Sequence, residues 1–172
     1  YLDIYNLHGM TWDAWLRHID GPHGKYRLLQ QAKDQGMIRH ICCSFHDSPE
    51  ALVRLAETGA FDSITFQYNL LNREVEQAIH RLHALNVGAV VMGPVGGGRL
   101  GVDSARIRAL TGGAAQSTPE AALRFVLAHP GVHVALSGMS TLAMLEQNVD
   151  IVARTPPFTP AELAAIDAEV AR

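Results

Sequence analysis

Short apolar runs alternate with longer amphipathic ones along the 172 residues. Segments 2–7, 38–43, 63–67, 89–92 and 132–136 are each short, apolar and β-branched enough to form a buried parallel strand. Segment 25–35 places Leu28, Leu29 and Ala32 at helical spacing and stops at Gly36, a residue suited to a left-handed cap. Asp47-Ser48-Pro49-Glu50 opens a second helix with a capping side chain and a first-turn proline. Thr118-Pro119 and Thr159-Pro160-Ala161-Glu162 repeat that device. Segment 73–85 aligns Val75, Ile79 and Leu82 on one face and ends at Asn86. A last helix is expected around 142–149, capped by Ser140 or Thr141.

Strand, helix, strand repeated about five times predicts α/β architecture around a parallel sheet. The pattern alone leaves open a closed barrel or an open doubly wound sheet. Two stretches break the rhythm. Segment 8–25 holds Trp12, Trp15 and the Gly21-Pro22-His23-Gly24 turn, and segment 99–117 follows a triple glycine. Long loops after strand carboxyl ends are where barrel enzymes place ligand contacts.

With 48% hydrophobic residues the chain can bury one substantial core, and no break in composition divides it. Fourteen Lys and Arg against 17 Asp and Glu give a net charge of −3, which argues against a nucleic-acid partner. Cys42 and Cys43 are adjacent, so they can neither staple distant segments nor form a zinc or iron–sulfur site. No apolar run reaches membrane length, and a cytoplasmic protein with no membrane partner is the expectation.

His8 closes the first apolar run, where barrel enzymes keep their chemistry. Ser44 and Gln67 end strands and suit an amide-bearing ligand. Gly93-Pro94-Val95-Gly96-Gly97-Gly98 follows a strand and would let backbone approach a pyrophosphate, although it matches neither common glycine-rich phosphate motif. Ser137-Gly138-Met139-Ser140 leads into a helix and favours a phosphate. His46 and Asp47 are neighbours that converge poorly on one ion, so no metal site is expected. His40, His46, His80, His83, His129 and His133 read as surface or packing residues, and so do the two tryptophans, unless these wall a substrate pocket.

Taken in order, these motifs resemble the carboxyl-terminal part of an aldo-keto reductase. The run from Leu2 through Asn6-Leu7-His8 is similar to the family's fourth strand with its active-site histidine. Gly36 through Cys43-Ser44 resembles the fifth strand, Gln67-Tyr68-Asn69-Leu70-Leu71-Asn72-Arg73 the end of the sixth, and Val90-Val91-Met92-Gly93-Pro94 with the glycines after it the seventh. Ala122 through Leu127, Leu136-Ser137-Gly138 and Glu146-Gln147-Asn148 resemble the eighth unit. Ser44-Phe45-His46-Asp47-Ser48-Pro49 and Val91-Met92-Gly93-Pro94 resemble the branch whose full-length members often carry a ferredoxin-like cysteine cluster after the barrel, which implies an iron–sulfur cluster in sequence beyond this chain.

The resemblance implies a (β/α)8 TIM barrel, present here as the piece from the fourth strand to the eighth helix. It also implies an oxidoreductase passing hydride between NADH or NADPH and a small-molecule carbonyl. His8 orients or polarises that carbonyl; Ser44 and Gln67 hold the nicotinamide amide; Met92 packs on its ring. Gly93, Pro94, Gly96, Gly97 and Gly98 approach the pyrophosphate, and Ser137, Gly138, Ser140, Gln147 and Asn148 surround the adenosine end. The family's tyrosine acid, lysine and aspartate lie on strands without counterparts here. The missing amino-terminal half of the barrel is therefore an expected partner, and this chain alone is expected to be inactive. The family's basic residues for the 2′-phosphate fall on Gly138 and Met144, which favours NADH. A cofactor-binding regulatory protein without turnover is the rival from another class. A barrel aldolase would need a Schiff-base lysine, and only Lys25 and Lys33 exist.

Overall fold

The structure is a computed structural model and describes residues 1–170. Five strands, β1 Leu2–Met10, β2 Ile38–Phe45, β3 Ser63–Gln67, β4 Gly88–Met92 and β5 Val132–Leu136, are hydrogen-bonded in sequence order. β1 with β2 and β2 with β3 pair parallel. The helices are α1 Trp12–Ala14, α2 Tyr26–Asp34, α3 Pro49–Glu57, α4 Glu76–Ala84, α5 Ala105–Leu110, α6 Thr118–Ala128, α7 Leu142–Arg154 and α8 Pro160–Val170. The expected parallel α/β alternation is therefore present, but the burial expected of every strand is not: Leu2 and Ile4 of β1 and Val134 and Leu136 of β5 are exposed, as side chains of the first and last strands in the sheet order.

The chain divides into two compact units, one comprising 1–66 and 74–90, the other 67–73 and the residues from 91 onward. In the first unit Ile41, Cys43, Phe45 and Ile64 from the strands meet Leu52, Leu55, Ile79 and Leu82 from α3 and α4, all essentially buried. Trp15 lies edge-on to Tyr26 and Phe61, which settles that tryptophan as a packing residue. In the second unit Tyr68, Leu100, Phe125, Val126 and Ile166 form the core. At its centre Arg124 pairs with Glu120 at 3.3 Å. It also donates to the carbonyls of Pro156 and Ala114 and lies 4.2 Å above the Phe158 ring.

Local signals were accurate where they were purely local. Ser48 accepts from the Ala51 N–H and Thr141 from the Met144 N–H, as N-caps do, and Asn86 adopts φ +58° just past α4. Thr159 and Glu162 form a reciprocal capping box at the start of α8. Two boundaries moved. The first strand does not stop at His8: Gly9, at φ +68°, makes a bulge after which the strand resumes at Met10 opposite Phe45. The cap of α6 is Ser117 rather than Thr118, whose buried hydroxyl instead accepts from the Ser104 N–H and donates to Asp103. His129, expected at the surface or in packing, is buried edge-on to Tyr68.

Candidate active site

In the first unit the parallel register of β1 and β2 sets Leu7 beside Cys43, and the bulge that follows brings the two polar strand ends together. Ser44 is buried, and its Oγ accepts the Gly9 N–H at 2.8 Å while lying 3.3 Å from His8 Nδ1. The sequence nominated both residues but gave no reason for them to touch. The His46 ring stands nearly perpendicular to that of His8, with centroids 6.5 Å apart. Asp47, one residue on, accepts from the Trp12 N–H and from the Ser48 N–H, and Arg54 covers the Trp12 ring at 4.4 Å. Asp47 is thus spent on fixing the loop that follows β1. Cys42 and Cys43 are buried, and burial, reinforced by the neighbouring Cys42, pushes the Cys43 thiol far up, which makes it an inert packing residue.

In the second unit the end of β3 leads into a narrow turn where Asn69 and Asn72 exchange backbone hydrogen bonds. The Asn69 side chain is completely buried: Nδ2 donates to the Gly93 carbonyl at 3.0 Å, and Oδ1 accepts from the N–H groups of Leu71 and Asn72. It ties the turn to the first glycine of the glycine-rich loop. Gly93 has φ +63°, and a Cβ there would stand 3.6 Å from Gln67 Nε2, so the Gln67 amide lies against that backbone. Pro94 is buried, Met92 half-buried, and Gly96, Gly97 and Gly98 all adopt positive φ, with open space around Gly97 and Gly98.

A cleft of about 170 Å³ joins this loop to the segment after β5. Gly98, Ser137, Gly138, Gln147 and Asn148 line it together with Val95, Met139 and Met144. Asn148 donates to Ser137 Oγ at 3.0 Å, which holds the start of the loop against α7. Ser140 turns instead to the Met144 sulfur at 3.5 Å and does not line the cleft, nor do Gly93, Pro94, Gly96 and Gly97. Among the described residues no acidic side chain lines it either.

His46 is exposed, as the sequence reading had it; Asn69 is the polar residue here to which sequence reasoning gave no role. An asparagine two residues past a strand end is a fair turn signal, but nothing local names Gly93, 24 residues away, as its partner. Among the described residues, no three His, Cys, Asp or Glu side chains gather as a metal site would require, and no helix is long and apolar enough to cross a membrane.

Residues 1–171 match the model of the Aldo/keto reductase family. The chain belongs to that family. It is 24% identical over 189 residues to the uncharacterized oxidoreductase YqkF of Bacillus subtilis, covering 96% of this chain and 59% of that protein. The holo form of aldo-keto reductase AKR11C1 from Bacillus halodurans superposes with a TM-score of 0.79 at 26% identity, over 98% of this chain and 58% of the other. Aldose reductase from Giardia lamblia, at 14% identity and a TM-score of 0.71, shares the fold over 97% of this chain and 61% of its own. The aldo-keto reductase chain therefore spans about 60% of the length of these relatives.

Proposed function

We propose that this chain carries the cofactor side of a carbonyl reductase built on a (β/α)8 barrel, with NAD(P)H as reductant and a small aldehyde or ketone as substrate. The observation that carries the proposal is the cleft of the second unit. Residues expected at the pyrophosphate and adenosine ends of a dinucleotide, Gly98 on one loop and Ser137, Gly138, Gln147 and Asn148 on the other, line one concavity. Its chemistry suits such a ligand: side-chain amides and a hydroxyl beside Met139, Met144 and Val95, with open glycine backbone and no carboxylate to repel a phosphate.

A reduced nicotinamide, when bound, supplies the hydride. The residues of the chain bind and orient. Gly93, Pro94, Gly96, Gly97 and Gly98 form the backbone approach to the pyrophosphate; Ser140, beside Met144, belongs to the adenosine end. The Gln67 amide, resting on Gly93, holds the carboxamide, and Met92 packs on the ring. His8 donates a hydrogen bond to the substrate oxygen and stabilises the negative charge that develops there.

Segment 137–148 contains no lysine or arginine, and no cation among the described residues lines the cleft. A 2′-phosphate dianion would be poorly compensated there, which favours NADH. Titration of ¹⁵N-labelled protein with NADH tests the assignment. Amide shifts should concentrate at 93–98 and 137–148, and a titration that leaves both segments unmoved would overturn it.

A further inference from the structure

We propose that Ser44 is a positioning residue for His8: its hydroxyl fixes the imidazole as the Nε2–H tautomer and so presents a proton on the nitrogen remote from the strand. The functional meaning rests on the carbonyl-reductase proposal, but the tautomer itself does not.

A serine hydroxyl has one proton to give and two lone pairs to accept with. At Ser44 one lone pair is committed, because the Gly9 N–H points at Oγ at 2.8 Å. The other contact of Oγ is His8 Nδ1 at 3.3 Å, and two arrangements of that contact are possible. If Nδ1 carried the proton and donated, the Ser44 hydroxyl proton would be left over at a site only 6% exposed, with no other acceptor for it among the described residues. If Ser44 donates to Nδ1, the Gly9 N–H, the Ser44 hydroxyl proton and Nδ1 are all paired. The second arrangement wins because a buried donor without an acceptor costs more than the bond it replaces would return. A neutral imidazole whose Nδ1 accepts must carry its proton on Nε2.

The bulge makes this possible. Gly9 at φ +68° turns its N–H onto Ser44, and a strand continuing straight through His8 would aim that N–H elsewhere. The glycine, the serine and the histidine therefore form one unit.

Long-range ¹H–¹⁵N spectra of the His8 ring, recorded about two pH units above the ordinary histidine pKa of about 6.5, distinguish the nitrogens without cofactor or substrate. In the unaltered protein Nε2 should show the protonated, pyrrole-like shift and Nδ1 the pyridine-like one. Ser44→Ala should average the two, as a free imidazole does, and Ser44→Thr, which keeps the hydroxyl, should restore the single tautomer. A protonated Nδ1 in the unaltered protein would overturn the proposal even if neither variant folded, and so would an unchanged single tautomer in Ser44→Ala. Failure to bind a dinucleotide would leave these outcomes as they are, so the two proposals fail separately.

Discussion

Replacing Asn69 with alanine removes three hydrogen bonds at once from a side chain with no solvent exposure: Nδ2 to the Gly93 carbonyl, and the N–H groups of Leu71 and Asn72 to Oδ1. At about 0.5–1.5 kcal/mol each, the bonds sum to roughly 1.5–4.5 kcal/mol. Two facts pull the figure toward the lower half. The Asn72 N–H keeps its bond to the Asn69 carbonyl, and Leu71 is 49% exposed, so water can reach its backbone. A loss of about 2–3 kcal/mol is expected. Urea unfolding followed by far-ultraviolet circular dichroism measures it as a lowered midpoint at constant slope. Amide exchange at Leu71 should accelerate in parallel. A loss below about 0.5 kcal/mol, the range of an ordinary surface substitution, would refute the role of Asn69 as the tie between the turn and the glycine-rich loop.

Three further outcomes follow from the structure. Arg124→Met strands the buried Glu120 carboxylate and should cost about 3–5 kcal/mol; adding Glu120→Gln should recover part of it, and thermal unfolding of the single and double variants reads both. At Asp62 burial raises the carboxyl, but the hydrogen bonds from Lys33 and the Ile41 N–H, with the charges of Lys33 and His40, hold it below its ordinary value of 3.8. The stability it contributes is therefore present above about pH 3.8 and lost as pH falls through the lower folded value, so Asp62→Asn should flatten the acid limb of the first unit's unfolding, followed by tryptophan fluorescence. Met144→Arg should tighten NADPH about tenfold, or about 1.4 kcal/mol, and leave NADH nearly unchanged in equilibrium titrations.

What could be read from the sequence was what is decided within a few residues. Run 38–43 announces a buried strand through its apolar composition, and Ser48, Thr141 and the Thr159–Glu162 pair declare helix starts because a cap is a bond to the next turn; run 132–136 announces a strand but not its surroundings, since Val134 and Leu136 are exposed. His8, Ser44 and Gln67 were found because each ends an apolar run. The details that decide their chemistry depend on partners far along the chain. The bulge at Gly9 exists only in register with β2, Ser44 meets His8 across 36 positions, and Arg124, besides Glu120 one turn back on α6, donates to the carbonyls of Ala114 and Pro156, 10 and 32 positions away. Hydrophobic periodicity carries none of this, since each of these contacts involves polar atoms placed by the fold.

The central proposal is that a barrel containing this chain passes hydride from a reduced nicotinamide to a carbonyl with His8 at the reacting oxygen. Isotope transfer tests it most directly. Residues 1–172, joined to the remaining strands of the family barrel, are incubated with NADH carrying deuterium at both C4 positions and an aldehyde, and the alcohol is examined by mass spectrometry. Deuterium should appear on the carbinol carbon, and His8→Ala should lower the rate about 100-fold or more at unchanged dinucleotide affinity. An alcohol without deuterium, or a His8→Ala protein that transfers it at the original rate, would contradict the account.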